Sequence, residues 1–167
     1  MDARPHLIRI AGLMKELRLE ALLIGNAAAA LQGAPVTTMD FDFLFRKTPA
    51  NIRKLKKLAD HLGAVILRPF YPASDLLRIV RDGDGLQIDF MSTIHGARSL
   101  ASLRSRARKL TFGETDLMVA ALSDIIKSKR AAGRPTDLAV LPVLEKALDE
   151  EKARHPKGQA GSPRQRE

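Results

Sequence analysis

Two aspartates one residue apart are the side chains of this sequence best placed to do chemistry. Asp40 and Asp42 alternate with the large apolar residues of segment 39–45. In a β-strand, successive side chains point to opposite faces, so the phenylalanines of this segment would share one buried face and both carboxylates would project from the other. Carboxylates held side by side against an apolar layer repel each other and lose hydration, and a divalent cation relieves both costs. The pattern therefore predicts a site for Mg²⁺ or Mn²⁺, which suit hard oxygen ligands.

A third acid is expected to join this pair. Asp89 is the one acid inside the predicted strand 86–91, where it lies between two apolar residues. A polar residue on an edge strand is the simpler explanation, but the first two aspartates favour a third metal ligand. Asp82 and Asp84 have the same spacing as the first pair but alternate with glycines, which is typical of a hairpin turn.

The elements that must position these acids alternate between helices and strands. An apolar strand at 20–24 ends at Gly25, and Asn26 is expected to cap a short alanine-rich helix that stops at Gly33. The aspartate strand then begins near Thr38. The other predicted elements are a helix at 5–18, a helix from Thr48 to Gly63, strands at 64–67, 76–80, 86–91 and 117–119, a helix closed by Gly133, and a last helix to about residue 151. This order predicts an α+β fold with a helical C-terminal segment.

The pattern favours one domain over residues 1–152, followed by a disordered basic tail at 153–167 that is rich in Pro, Gly, Gln and Arg. Segment 97–110 is dense in arginine. It could be a helix with a phosphate-binding face or ordinary surface charge, and the sequence favours neither.

The composition limits the classes of function. The 28 basic and 19 acidic residues give a formal charge of +9, which favours polyanionic partners such as RNA, DNA and nucleotides. Aromatic residues make up 4% of the chain, so a protein that stacks single-stranded bases is not expected. The absence of cysteine excludes disulfides and thiolate sites. No apolar run approaches membrane-spanning length, and a cytoplasmic protein without membrane contact is expected.

Taken together, these motifs resemble a known family. Gly25-Asn26, then Asp40-Phe41-Asp42, then Asp89, is similar to the nucleotidyltransferase pattern of the DNA polymerase β superfamily. The closer match is to small bacterial nucleotidyltransferases, including AbiEii-like toxins of the abortive-infection type, which typically carry a downstream segment like 125–137. The motifs span roughly residues 20 to 145, most of a domain of this size. Asn26 stands where Gly or Ser is usual, and Val36 where an arginine is common.

The resemblance implies a nucleotidyltransferase-like mixed β-sheet flanked by helices, and transfer of a nucleoside monophosphate from an NTP to a hydroxyl. Asp40 and Asp42 would bridge two Mg²⁺ or Mn²⁺ ions, and Asp89 would hold the ion that activates the acceptor. The helix start at Gly25-Asn26 would bind the triphosphate, with Thr38 as a further donor. Lys129 would reach the phosphates, and Asp137 would orient it. Without the family, an exposed lysine would be the preferred explanation of Lys129.

Three hypotheses about function remain open at this point. The first is a nucleotidyltransferase that acts on RNA, for example a tRNA end, or on a protein, and that could be the toxin of a pair with a cognate antitoxin. The second is a nucleotide-binding or partner-binding module that has kept the fold and lost turnover. The third is a basic nucleic-acid-binding protein whose carboxylates are incidental. The first is preferred, because the three aspartates and the glycine-led helix occur together in the order that the family shows.

Overall fold

A computed structural model describes residues 4–38, 40–67, 75–97 and 99–155. The helices in these ranges are α1 (Arg4–Glu16), α2 (Gly25–Leu31), α3 (Pro49–Leu62), α4 (Leu100–Arg104), α5 (Leu122–Ala132) and α6 (Pro135–Arg154). The strands are β1 (Ala21–Ile24), β2 (Asp40–Phe45), β3 (Val65–Leu67), β4 (Leu77–Arg81), β5 (Leu86–Met91), β6 (Arg108–Phe112) and β7 (Thr115–Val119).

The strands form one mixed sheet in the order β3-β4-β5-β2-β1-β7-β6. The pairs β2–β5 and β1–β7 are parallel, and the other neighbours are antiparallel. Within the described part of the chain, the strands and helices therefore form the α+β arrangement that the sequence predicts. The hairpin of β4 and β5 turns at the Asp-Gly-Asp-Gly segment, as expected.

One face of the sheet is held by aromatic packing. Phe41, Phe43 and Phe45 are all buried, as the alternation of β2 predicts. The ring of Phe90, from β5, stacks on Phe43 with centroids 5.2 Å apart and meets the edge of Phe45 at 5.6 Å. Aromatic pairs with this geometry stabilise a core beyond the area they bury, so β2 and β5 are tightly fixed to each other.

Several helix ends agree with the sequence prediction, and one does not. Thr48 caps α3 by accepting a hydrogen bond from the backbone N–H of Asn51, and Gly63 and Gly133 end their helices with positive φ. The prediction that Asn26 caps α2 is wrong. Helix α2 begins at Gly25, two residues before the start that an Asn26 cap would give, and no side chain caps it. Gly25 has φ +68, so the chain turns from strand to helix at the glycine itself and leaves no capping position for Asn26.

A helix through the arginine-rich segment 97–110 is also not what forms. Among the described residues of this segment, 97 and 99–110, the structure has only the short α4 as a helix, and β6 begins at Arg108 as the edge strand of the sheet. A high arginine content has no periodicity that would favour a helix or a strand. The conformation of residues 108–112 is set instead by pairing with β7. Helix α6 continues to Arg154, three residues beyond the expected end at about residue 151. The predicted tail beyond residue 155 and the irregular stretch at 69–72 lie outside the described residues.

None of the helices in the described ranges has the length and apolar character that a membrane-spanning helix requires.

Phe90→Ala should lower the free energy of unfolding by about 3–5 kcal/mol, because it empties the space between two other rings in a fully buried layer. Phe112→Ala, in the half-buried end of β6, is the matched control and should cost about 1–2 kcal/mol. Urea unfolding of both variants measures the difference. Equal losses would contradict the central position assigned to Phe90.

Candidate active site

The register between β2 and β5 brings two acids together. Asp42 and Asp89 are directly paired in these parallel strands, and Asp40 is paired with Gln87. Residues paired across neighbouring strands project from the same face, so all three carboxylates lie on the face opposite the phenylalanines. This is the arrangement that the alternation in β2 predicts for Asp40 and Asp42. It also places Asp89, which is distant in sequence, next to Asp42.

An arginine from the next strand neutralises Asp89. Arg78, in β4, is paired with Asp89, and its Nε and Nη2 each donate to one carboxylate oxygen at 2.8 Å. The side chain of Asp89 is 9% exposed. A two-pronged arginine–carboxylate contact is among the strongest hydrogen-bonded ion pairs in proteins. Arg78 is not among the predicted site residues, although the predicted hairpin and the alternation along its two strands put Arg78 on the face of Asp89.

Gly25 closes the site beside Asp42. A Cβ atom built on Gly25 would lie 2.4 Å from the Oδ2 atom of Asp42, closer than any side chain tolerates. Together with its positive φ, this contact means that the strand-to-helix bend can approach the carboxylate only because residue 25 is glycine.

The α5–α6 connection supplies cations that are fixed by a buried acid. Asp137, which is 2% exposed, accepts from Lys129 Nζ at 3.1 Å and from Arg134 Nε at 2.5 Å. Burial alone would raise the pKa of Asp137, but the hydrogen bonds from Arg134 and Lys129 hold it below its usual value. The side chain of Lys129 is 13% exposed, so the structure does not place it as an ordinary surface lysine.

These groups line a single cavity of about 510 Å³. The predicted site residues on its wall are Gly25, Asp42, Asp89, Lys129 and Asp137. Arg78 and Arg134 also line it, together with apolar side chains such as Ile94, Leu103 and Ile125. Among the described residues, the cavity therefore combines five acids, including the pair Asp42 and Asp89, with three arginine or lysine side chains and an apolar wall.

Three predicted site residues lie outside this wall. Asp40 is exposed at the start of β2. Thr38 Oγ1 donates to the backbone carbonyl of Asp40 at 2.9 Å and accepts from its N–H at 3.2 Å, so Thr38 fixes the entry to the strand. Asn26 faces neither cavity nor cap, and its buried Oδ1 has no hydrogen-bond partner among the described residues.

Asp42 carries an uncompensated charge. Burial raises its pKa from 3.8 to about 6, with further contributions from the charges of Asp89 and Asp40, while Lys129 and Arg134 act in the opposite direction. No described residue donates a hydrogen bond to this carboxylate. An acid in this state is more stable with a cation beside it.

A divalent ion fits this oxygen donor set in part. Asp42 and Asp40 belong to one face of β2, and Asp42 has free carboxylate oxygens. Both oxygens of Asp89 are engaged by Arg78, and the described residues contain no group of three or more acids or histidines arranged to hold one metal ion. Asp89 can serve as a metal ligand only if Arg78 leaves it.

Comparison with known proteins identifies the fold. No family model and no curated protein matches the sequence. The chain resembles the antibiotic-resistance factor ANT(2'')-Ia with a TM-score of 0.62 at 16% identity, over 92% of this chain and 89% of that one. It resembles the lincosamide antibiotic adenylyltransferase LnuA with a TM-score of 0.61 at 11% identity, over 84% and 95%. TM1012 of Thermotoga maritima, a proposed nucleotidyltransferase, gives 0.59 at 18% identity, over 89% and 94%. The chain thus has the nucleotidyltransferase-like fold that the sequence analysis predicts.

Asp42→Asn should raise the free energy of unfolding at pH 7.5 by about 1–3 kcal/mol and have a much smaller effect near pH 4. The pKa of Asp42 is raised by folding, so the folded state loses stability as the pH rises through the window from 3.8 to about 6 and bears the full cost above it. Urea unfolding at the two pH values measures both effects. Asp82→Asn, in the exposed turn, is the control, and an equal gain for Asp42→Asn at both pH values would contradict the raised pKa.

Arg78→Met should lower the free energy of unfolding by about 2–4 kcal/mol, because it leaves the Asp89 carboxylate buried without a partner. Asp89→Asn in the same chain should restore part of this loss, so a double-mutant cycle should give a coupling above about 1 kcal/mol. Arg104→Met provides the comparison, since Arg104 pairs at 2.8 Å with the well-exposed Glu20 and such surface pairs contribute about 0–1 kcal/mol. Additive losses in the cycle would show that the two side chains are not coupled.

Proposed function

We propose that this protein is a nucleotidyltransferase, which transfers a nucleoside monophosphate from an NTP to a hydroxyl acceptor with Mg²⁺ or Mn²⁺ as cofactor. The observation that carries the proposal is the pairing of Asp42 with Asp89 on the wall of a cavity that also contains Lys129 and Arg134. Acids for metal ions and cations for phosphates are the two kinds of group that this transfer needs.

The chain's own residues have distinct parts in this proposal. Lys129 and Arg134, oriented by Asp137, bind the phosphate oxygens of the NTP as charge-assisted donors. Gly25 lets the backbone approach Asp42, and the backbone N–H groups at Gly25 and Asn26 would bind the triphosphate. Thr38 positions the strand that carries Asp40 and Asp42, and its contact with the nucleotide stays a prediction.

Asp40, Asp42 and Asp89 are the residues that would hold the divalent ions. When bound, these ions lower the charge on the α-phosphate and favour the deprotonated acceptor hydroxyl. In the transfer, the acceptor oxygen forms a bond to the α-phosphorus, the bond from that phosphorus to the bridging oxygen breaks, and pyrophosphate leaves. A carboxylate of the site takes the hydroxyl proton. For Asp89 to contribute, the Arg78 guanidinium must move, and a triphosphate in the cavity offers it another anionic partner.

The acceptor class follows from charge. A formal charge of +9 favours a polyanionic acceptor such as RNA, including a tRNA end, and a protein hydroxyl is the second class. ANT(2'')-Ia, a neighbour in fold, has been solved with adenylyl-2''-tobramycin, so on this fold the acceptor can also be a small molecule. The resemblance to abortive-infection toxins adds the proposal that a cognate antitoxin restrains the enzyme.

Label from an α-labelled NTP should be transferred to RNA or protein in the presence of Mg²⁺ or Mn²⁺. Asp42→Asn should reduce the rate by about a thousandfold or more, since it removes a metal-binding charge worth several kcal/mol. Lys129→Gln should raise KM for the NTP by about 10–100-fold, because it removes one charge-assisted hydrogen bond to a phosphate, and a bond of this kind changes affinity by about that factor. Asp82→Asn should behave as the parent protein. If no label reaches RNA, protein or the chain itself, or if Asp42→Asn labels equally well, the proposal is wrong.

A nucleotide-binding module without turnover is the second candidate, and one observation favours it. Arg78 already supplies the positive charge that a metal ion would bring to Asp89. Asn26 and Val36 stand at positions where the family usually has other residues, and these departures also favour a module without turnover. Saturable NTP binding by the parent protein, without transfer to any acceptor, would support this candidate over the first.

A further inference from the structure

A second cavity, which we call the basic cleft, lies at the other end of the central strands. It has a volume of about 770 Å³ and is bounded by Ala21 and Arg46, where β1 begins and β2 ends. The candidate active site is bounded by Ile24 and Asp42, at the opposite ends of the same strands. Among the described residues, the two cavities share no lining residue. We propose that the basic cleft binds the phosphate backbone of a nucleic acid.

The basic cleft has an excess of positive charge. Its charged lining residues are five cations and two acids: Lys15, Arg18, Arg46, Lys54, Arg104, Glu20 and Asp116. Both acids already have partners, because Glu20 pairs with Arg104 at 2.8 Å and Asp116 pairs with Lys109, outside the cleft, at 3.4 Å. Four cations therefore face the cleft without an ion pair to any residue that the structure describes. A bound anion would supply the missing charge.

Backbone carbonyls hold the two lysines at the cleft. Lys54 Nζ donates to the carbonyl of Arg18 at 2.7 Å, and Lys15 Nζ donates to the carbonyl of Glu114 at 3.1 Å. An ammonium group has three donors, so each lysine is positioned and still has donors to offer. The guanidinium of Arg46 makes no hydrogen bond within the described ranges. Arg46 and Lys54 lie near Glu20, because their charges add to the hydrogen bond and charge of Arg104 in lowering the pKa of Glu20.

The conformation of Arg18 is a second, independent indication. Helix α1 ends with two hydrogen bonds, from Arg18 N–H to the Lys15 carbonyl and from Leu19 N–H to the Met14 carbonyl, and Arg18 has φ 51. This left-handed position usually holds glycine, and it costs another residue about 1 kcal/mol. Strain kept in the backbone is more common at functional sites. A contact from the Arg18 guanidinium to an anion in the cleft would account for an arginine here.

The lining favours a nucleic-acid backbone over other anions. No aromatic side chain is among the described lining residues, so the cleft is suited to phosphates and not to base stacking. The four unpaired cations come from α1, the turn after it, the end of β2 and α3, so four separate segments of the chain supply charge to the basic cleft. The formal charge of +9 adds long-range attraction. A free polyphosphate presents similar oxygens, and the experiment must separate it from a polynucleotide.

Fluorescence anisotropy with a labelled single-stranded RNA and a DNA of the same length, without NTP, tests the proposal. With four phosphates neutralised, the slope of log K against log salt should be about −3 for the parent protein. Arg18→Gly with Arg46→Gln should make the slope shallower by about 1.4 and weaken binding at least about tenfold at low salt. Lys56→Gln with Lys57→Gln removes the same charge from exposed positions on α3 outside the cleft, and should leave the slope unchanged.

Two further measurements keep the result interpretable. Arg18→Gly relieves the left-handed strain, so its Tm should not fall, and lost binding cannot then be ascribed to unfolding. Tripolyphosphate should fail to displace the RNA at equal phosphate concentration. If the cleft variant binds as tightly as the control variant, or if tripolyphosphate displaces the RNA at equal phosphate concentration, the proposal is overturned. Because no NTP is present, this failure is distinguishable from a failure of the transferase proposal.

Discussion

The pairing of β2 with β5 is the constraint on which the site depends. The two strands fix their register through aromatic side chains on one face, with Phe43 opposite Phe90, and the same register sets Asp42 opposite Asp89 on the other. A shift of the β2–β5 register by one residue would bury carboxylates and expose aromatic rings. The free energy lost would exceed the small net stability of a typical domain. The hydrophobic core therefore holds the two acids together against their mutual repulsion.

The charges that compensate these acids come from separate parts of the chain. Arg78 is supplied by the adjacent strand, whereas Lys129 and Arg134 are supplied by the connection of α5 with α6 and are held there by Asp137. Asp42 lies between these two sources and has a direct bond to neither. It is the group in the cavity whose charge is least balanced, and this is why burial shifts its pKa upward.

Periodicity and local capping allowed much of this arrangement to be predicted from the sequence. Alternation in β2 gives the face of Asp40 and Asp42, and Thr48, Gly63 and Gly133 mark helix ends by local chemistry alone. Contacts between distant segments could not be predicted in this way. The pairing of β2 with β5 depends on strand order, which alternation within one strand does not contain.

The errors have related causes. The sequence does not show that Gly25 has a positive φ, which moves the start of α2 and displaces Asn26 from the cap. The hydroxyl of Thr38 is hydrogen-bonded to the nearby backbone of Asp40, because local bonds form at little entropic cost, and its contact with a nucleotide stays a prediction. In segment 97–110, charge density indicates exposure but not conformation, and the edge pairing of β6 is a tertiary effect.

The Arg78–Asp89 contact has a consequence for how the molecule matures. A cluster of carboxylates without counter-ions would oppose folding until a metal ion bound to them. Folding would then depend on the supply of that ion. Here the neighbouring hairpin strand β4 supplies Arg78 as the counter-ion of Asp89, and the sheet can form around this pair without a metal ion. The neutralisation of Asp89 within the fold therefore requires no metal ion, and the domain should keep its stability when a chelator is present.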